Sequence, residues 1–384
     1  MDLSQVSAGV AGFVRAGGGV VHDDLELVRL CGDGQDRGCF ARRAIKSGAI
    51  LVRLPLASCY LSASNALDLS LSLSDALSSR CDPYLVSLPT CVESLADWSD
   101  DEKDRLKGTS LWGSWRDEDA AVAALNDRRH FRQALRLVRT RAFELHGSFC
   151  LVPGIDALNH KNKGASARLF IGDDDVLELV AVRDIEAGQE VTHVYDDDLT
   201  SAEALSRYGI LDNTFSSSSV FVDLQNLTVD PERLDACRAL LQGNTTVALS
   251  LEKPLPEALL EVMTLLALSE IDFHETKNVV DTEVNGNWQS LDLLETLDKN
   301  APLRHTVDDS LRALAHRKIT AFFDNKEKKQ PHHQTANTTL QDRHQRRIKA
   351  ALALRDSQRA VWAALRHRLG EGGKKQQKRR RKNI

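Results

Sequence analysis

The chain has 384 residues, of which 42% are hydrophobic and 27% charged, and a formal net charge of −5. That length exceeds one comfortable core and that composition is ordinary for a soluble globular protein, so two domains are expected. A near-neutral balance disfavours a nucleic-acid-coating protein; seven cysteines without a C-x-x-C spacing disfavour a zinc ribbon or secreted disulfide scaffold; and no apolar run approaches the roughly 18 residues of a membrane span.

The N-terminal stretch "MDLSQVSAGVAGFVRAGGGVV" has no basic head before its apolar part. No secretory signal is expected, and the odd cysteine count fits a reducing compartment. Residues 37–55, "RGCFARRAIKSGAILVRLP", read as short strands around a Lys46-Ser47-Gly48 turn. A helical stretch follows. Ser99 and Glu102 form a capping box, and residues 119–146 run without Gly or Pro, a helix that Gly147 ends. Residues 167–195 return to strands, with a hairpin across Gly172-Asp173-Asp174-Asp175 and a further strand after the turn at Glu186-Ala187-Gly188.

The two β stretches echo each other. Ala41-x-Arg43-x-Ile45-x-x-Gly48 recurs as Ala181-x-Arg183-x-Ile185-x-x-Gly188, which suggests two similar corners of one small β structure. Thr200 and Glu203 form a second capping box, opening a short helix that "YGI" closes. From about residue 220 the chain reads as mainly helical. A polar loop is expected over 324–339, then a long final helix with Ile348, Leu352, Val361, Leu365 and Leu369 on or near one face. Beyond Gly370, Gly372 and Gly373 comes "KKQQKRRRK", seven basic residues in nine. Like charges so close repel, so a disordered tail over 371–384 is expected. The fold class is α+β.

Chemistry is sparse at first sight. There is no phosphate loop, no G-x-S-x-G elbow and no H-E-x-x-H. His332 and His333 sit in a polar stretch without other ligands nearby, and Asp173–Asp175 and Asp196–Asp198 lack the spaced pattern of a calcium loop, so no metal is expected. Three local features remain. Gly38 enters the first strand, where a missing side chain lets a ligand approach the backbone. "VPGIDALNHKNKG" delivers Asp156, Asn159 and His160 within five positions at the edge of an apolar run. Tyr195 ends "EVTHVY", in which Val191, His193 and Tyr195 alternate onto one face. Taken singly, each has a bland account: a turn glycine, two capping residues, a packing tyrosine.

Their order points further. "RGCFARRAIKSGAILVRLP", "YLVSLP", Trp98, "LKGTSLW", "RTRAFEL", "VPGIDALNH", "GQEVTHVYDDDLTSAEALSRYGI" and "LALRDSQRAVWAAL" follow one another as in a known family. The chain resembles the SET-domain protein methyltransferases, and among them those with a split SET domain and a helical C-terminal domain of the Rubisco-methyltransferase type. The resemblance covers roughly residues 25–370, weakly between 215 and 330. It implies a SET domain over 20–212 with a knot-like crossing and a helical insertion at about 62–148. A helical substrate-binding domain over 213–370 and the basic tail would follow.

The resemblance also implies S-adenosylmethionine as cofactor. Gly38, Cys39, Arg141, Asn159, His160 and Tyr195 would bind it, Tyr195 would be catalytic, and Arg141, Asp156 and Tyr208 would meet the substrate. The implied activity is N-methylation of lysine in a protein. The absence of cysteine-rich flanks points to a non-histone substrate, with a ribosomal or translation-associated protein among the candidates. Histidine methylation and a non-catalytic binding module are the alternatives. The chain departs from the family at Asp36, which replaces the first glycine of its G-x-G, at Asp196 after the tyrosine, and at Ser201. A monomer in cytoplasm or nucleus, without membrane attachment, is expected. The basic tail would engage an import receptor or an RNA-rich particle.

Overall fold

The computed structural model describes residues 3–31, 36–79, 82–125, 130–172, 174–197, 199–210, 219–228, 230–283, 293–321 and 338–382. Two compact units emerge. Met1–Asp97, Ser114–Leu199 and Glu203–Phe215 form the first; Trp98–Gly113, Thr200–Ala202 and Ser216–Ile384 form the second. The helical insertion expected inside the first domain is therefore divided, because 98–113 groups with the C-terminal residues.

The first unit opens with α1 (Leu3–Ala16), which nothing in its glycine-containing sequence announces. Val10 and Val14 enter the core, and the Ser7 hydroxyl accepts the Leu27 N–H at 3.0 Å. Strands β1 (Val20–Val21), β2 (Leu25–Cys31), β3 (Asp36–Ala41), β4 (Ile50–Pro55) and β5 (Leu61–Ala63) follow. Next come α2 (Ala66–Ser79), α3 (Pro83–Ser87), α4 (Asp100–Asp104), α5 (Trp115–Ala124) and α6 (Phe131–Arg141), of which α4 belongs to the second unit. The unit continues with β6 (Ala142–Leu145), β7 (Ser148–Leu151), β8 (Asn159–His160), β9 (Ala167–Ile171), β10 (Val176–Ala181) and β11 (Glu190–His193), and then α7 (Ser201–Tyr208). Three sheets result, ordered β1-β4-β10-β9, β2-β3-β11-β8 and β5-β7-β6.

The single helix expected over 119–146 is corrected. From Ala142 the chain is extended and pairs antiparallel with β7, Phe143 against Cys150 and Leu145 against Ser148. "AFEL" is too short for periodicity to separate helix from strand, and the pairing partner beyond His146-Gly147 decides.

The two echoing corners meet face to face. Ile45 and Ile185 exchange both backbone hydrogen bonds, each at 2.9 Å. The Gly48 N–H donates to the Ala181 carbonyl and the Gly188 N–H to the Ala41 carbonyl, both at 2.7 Å. Ala41, Ile45, Ala181 and Ile185 are all buried. Each copy of the motif is thus the hydrogen-bonding partner of the other, which is why the sequence repeats.

In the second unit α4 carries the expected capping box, with both the Ser99 and Glu102 halves formed. Glu102 is buried, and its carboxylate also meets His344 Nδ1 at 2.9 Å and Arg347 Nη1 at 3.2 Å. A small hairpin, β12 (Val220–Asp223) with β13 (Thr246–Leu249), frames α8 (Pro231–Leu240). Helices α9 (Glu257–Ala267), α10 (Glu270–Glu283), α11 (Leu293–Lys299), α12 (Ala301–Ala321) and α13 (Thr338–Lys382) complete the unit. On α13 the buried stripe runs through Ile348, Ala351, Leu354, Gln358, Val361, Leu365 and Leu369, whereas Leu352 is exposed. Gln358 spends both ends of its amide on Ser110: its oxygen accepts the Ser110 N–H at 2.9 Å, and its nitrogen donates to the Ser110 hydroxyl at 2.8 Å.

The polar loop expected over 324–339, with His332 and His333, lies almost wholly outside the described residues. The tail differs from expectation. The backbone of α13 continues helically through Gly370, Gly372 and Gly373 to Lys382. Lys, Gln and Arg are good helix formers, and extending an existing helix needs no new nucleus.

Gly48 and Gly188 hold φ of +84° and +79° with open space where a Cβ would stand. Gly48→Ala and Gly188→Ala should therefore each cost about 1–2 kcal/mol through the backbone alone. Urea unfolding checks this, and a midpoint unchanged by either substitution would show that the corner is not held in this conformation.

Candidate active site

The site grows from the segment after β7. Val152 to Leu158 are all buried, and the turn is closed by the Asp156 N–H on the Val152 carbonyl and the Leu158 N–H on the Ile155 carbonyl. The chain then emerges as β8, parallel to β11, with Asn159 opposite Thr192 and His160 opposite His193. On its other side β11 pairs antiparallel with β3, Val191 against Cys39 and Glu190 against Phe40. One short strand thereby gathers the glycine strand, the Asn-His pair and the approach to Tyr195.

Tyr195 ties the crossing shut. Its backbone N–H donates to His160 Nδ1 at 3.1 Å, and its hydroxyl donates to the Leu158 carbonyl at 2.8 Å. Its ring lies 4.6 Å from that of Tyr208, 5.0 Å from His193 and 5.2 Å from His160. Burial pushes its hydroxyl well above the ordinary tyrosine range, so it stays protonated and remains a donor. The charge of Arg141 reaches it and works the other way; Tyr208, Asp156 and Cys39 also act on it.

The other expected residues surround this point. Gly38 and Cys39 are buried in β3, and Cys39 Sγ donates to the Leu27 carbonyl at 3.0 Å. Asn159 Nδ2 donates to Glu190 Oε1 at 2.7 Å, which orients the amide. Arg141, the last residue of α6, donates from Nη1 to the Asp156 carbonyl at 2.6 Å. Asp156 is itself buried, and its Oδ2 accepts from the Tyr84 hydroxyl at 2.7 Å. Burial raises its pKa, opposed by Arg141 and the Tyr84 bond. Asp36 pairs with Cys31 at the end of the β2–β3 ladder, and its side chain lies outside the described residues. Among the described residues no cluster of three or more His, Cys, Asp or Glu could hold a metal ion.

Three neighbours enter that the motifs alone do not single out. Tyr84 comes from the insertion and Glu190 from β11; their hydrogen bonds fix Asp156 and Asn159. The third is His193, visible in the sequence only through its alternation with Val191 and Tyr195. It is 3% exposed, its ring stacks on Phe143 at 6.0 Å, and its Nε2 has no hydrogen-bond partner among the described residues. A cavity of about 370 Å³ is lined by Trp115, Arg139, Ala142, Phe149, Ser206 and Arg207 among others, sequence neighbours of Arg141 and Tyr208 but not those residues themselves.

Burial, then the neighbouring His160, lowers the His193 pKa from 6.5 to about 4. The unfolded chain therefore binds the extra proton between those values and the folded chain does not. Stability contributed by the neutral ring is fully present above about pH 6.5 and is lost as pH falls toward 4. The loss is roughly 3 kcal/mol by linkage. Comparing the pH dependence of urea unfolding for the unaltered chain and His193→Gln should show a shallower acid decline in the variant; parallel curves would contradict it.

No curated protein sequence matches the chain. The SET domain family matches residues 36–196. The solved SET domain of LSMT bound to lysine and AdoHcy is 17% identical with a TM-score of 0.68, covering 97% of this chain and 92% of that one. Rubisco LSMT bound to AdoMet is 15% identical, also with a TM-score of 0.68, covering 96% of this chain and 92% of that one. The strand that gathers Gly38, Asn159 and the approach to Tyr195 lies within the residues that match the SET domain family, and the fold of the chain, with its helical C-terminal region, is similar to that of the LSMT structures.

Proposed function

We propose that the chain is an S-adenosylmethionine-dependent N-methyltransferase of lysine in a non-histone protein. The observation that carries this reading is the placement of the Tyr195 hydroxyl. It is buried, held on the Leu158 carbonyl, and boxed by Tyr208, His193 and His160. Lysine and methyl-lysine accompany AdoHcy in the LSMT structures of like fold.

The residues present fit the cofactor. A sulfonium amino acid needs a cation for its carboxylate, a polar side chain for its ammonium and backbone without side chains for its nucleoside. Arg141 supplies the first, the Asn159 amide oriented by Glu190 the second, and Gly38 with the β8 backbone at His160 the third. When bound, S-adenosylmethionine supplies a methyl group that moves to nitrogen as the carbon–sulfur bond breaks and its electron pair stays on sulfur.

The protein's own work is on the amine. A lysine with pKa of about 10.4 is neutral only about once in 2,500 molecules at pH 7, a cost of roughly 4–5 kcal/mol. An aromatic, desolvated box lowers that cost by disfavouring the cation. The released proton goes to solvent before transfer. Tyr195 and the Leu158 carbonyl then fix the direction of approach, which replaces random encounter by a held geometry.

The test is calorimetry with S-adenosylmethionine, followed by tritiated methyl transfer into a soluble cell lysate and mass spectrometry of the labelled band. Tyr195→Phe should keep cofactor affinity and lose about a hundredfold in rate, since one oriented hydrogen bond in the transition state is worth roughly 3 kcal/mol. Asn159→Ala should instead weaken cofactor binding by roughly 1.5–3 kcal/mol. Absent binding at millimolar cofactor would favour a non-catalytic module, and label on histidine would reassign the target.

A further inference from the structure

His193 brings to this box a buried ring nitrogen, Nε2, that nothing described so far employs. Its Nε2 is shielded from solvent and lacks a hydrogen-bond partner among the described residues. Buried acceptors in native proteins are rarely left so, and an orphan asks for a ligand or a role. The ring's position narrows that role. His193 lies two residues before Tyr195 on the same face of β11, with ring centroids 5.0 Å apart. On its other side it stacks on Phe143, two residues beyond Arg141.

Its tautomer follows from its partners. A hydrogen bond with the Val194 backbone favours the protonated ring, so in that bond the ring donates. With Nε2 unpartnered, the donor is Nδ1, and Nε2 carries a lone pair. The ring stays neutral at physiological pH because burial and His160 oppose its charging. It is therefore too weak a base to take the lysine proton, and it is suited to accept a hydrogen bond. The neighbouring polar groups are engaged in holding the crossing: the Tyr195 hydroxyl donates to Leu158, and His160 Nδ1 accepts from the Tyr195 backbone.

We propose that His193 Nε2 accepts an N–H of the substrate's reacting amine and so sets the direction of its lone pair beside Tyr195. This rests on the methyltransferase reading. A neutral amine bonded through one N–H cannot swing its lone pair away, and the held rotation adds an orientation that a hydroxyl and a carbonyl alone do not fix. No proton or methyl group passes through the imidazole. His193 acts as a specificity-determining acceptor for an amine that still bears hydrogen.

The methyltransferase reading is tested first, on the unaltered chain, by S-adenosylmethionine calorimetry and tritium transfer into lysate; failure of both sinks that reading and the present proposal with it. Given both, His193→Leu should lose at least about tenfold in transfer rate with cofactor affinity within about twofold, and His193→Gln, which returns an acceptor oxygen near the Nε2 position, should regain most of the loss. An unchanged rate in His193→Leu, or an equal loss in His193→Gln, overturns the proposal. A readout independent of turnover uses 15N-histidine NMR of the full chain, with the His193 signal identified by its absence from His193→Gln. The Nδ1–H tautomer is expected. An Nε2–H tautomer would make the ring a donor at that atom and overturn the proposal even if His193→Leu fails to fold.

Discussion

A parallel pairing two residues long, Asn159 beside Thr192 and His160 beside His193, is the constraint on which the site depends. It places β8 against a strand already committed on its other edge to the glycine strand. Three segments far apart in sequence become neighbours through so few backbone contacts only because the approach, Val152 to Leu158, is packed into the core. The Tyr195 hydrogen bonds then land on the end of that approach, at Leu158, and on β8, at His160. The tyrosine is the latch of the crossing, so its geometry is fixed by the fold rather than by rotamer preference.

Behind the crossing stands the reciprocal pair of corners. They hold by backbone exchange between Ile45 and Ile185 and between each glycine and the opposite alanine. An ion pair decorates them, Lys46 Nζ to Asp184 at 2.8 Å, and each partner's pKa moves in the direction that pairing requires. Both groups are in solvent, where such pairs contribute little. The buried amide–carbonyl bonds, cut off from water, decide the register. The β4–β10 and β3–β11 pairings run out from this centre, which aligns the strand carrying Gly38 with the strand leading to Tyr195.

Much of this frame was legible in residue order. The corner motif repeats because its copies bond each other. The Ser99–Glu102 box is local chemistry, and the 167–181 hairpin announces itself by alternation around a polar turn. What was not legible depended on partners. "AFEL" becomes a strand because "SFCL" is there to receive it. The N-terminal helix is held by burial of Val10 and Val14, which no propensity reveals. Leu352 looked like core and is exposed, because the true stripe drifts to Leu354 and Gln358. At the site, Asp156 was legible as a polar residue in an apolar run, but its Tyr84 partner lies 72 residues away, and no spacing rule connects them.

Gln358 carries a consequence for the architecture as a whole. Its buried amide satisfies a backbone N–H and a hydroxyl of Ser110, and three to four turns earlier on the same helix His344 and Arg347 close on the Glu102 carboxylate. The C-terminal unit thus incorporates a stretch of chain, Trp98–Gly113, borrowed from the middle of the first one. It is not a bead on a string. A gene fragment cut anywhere after residue 215 would encode α13 without the polypeptide that satisfies its interior amide, and a deletion of 98–113 would strand the same amide from the other side. Moved alone by simple end-to-end fusion, such a unit would carry an interior amide with no partner.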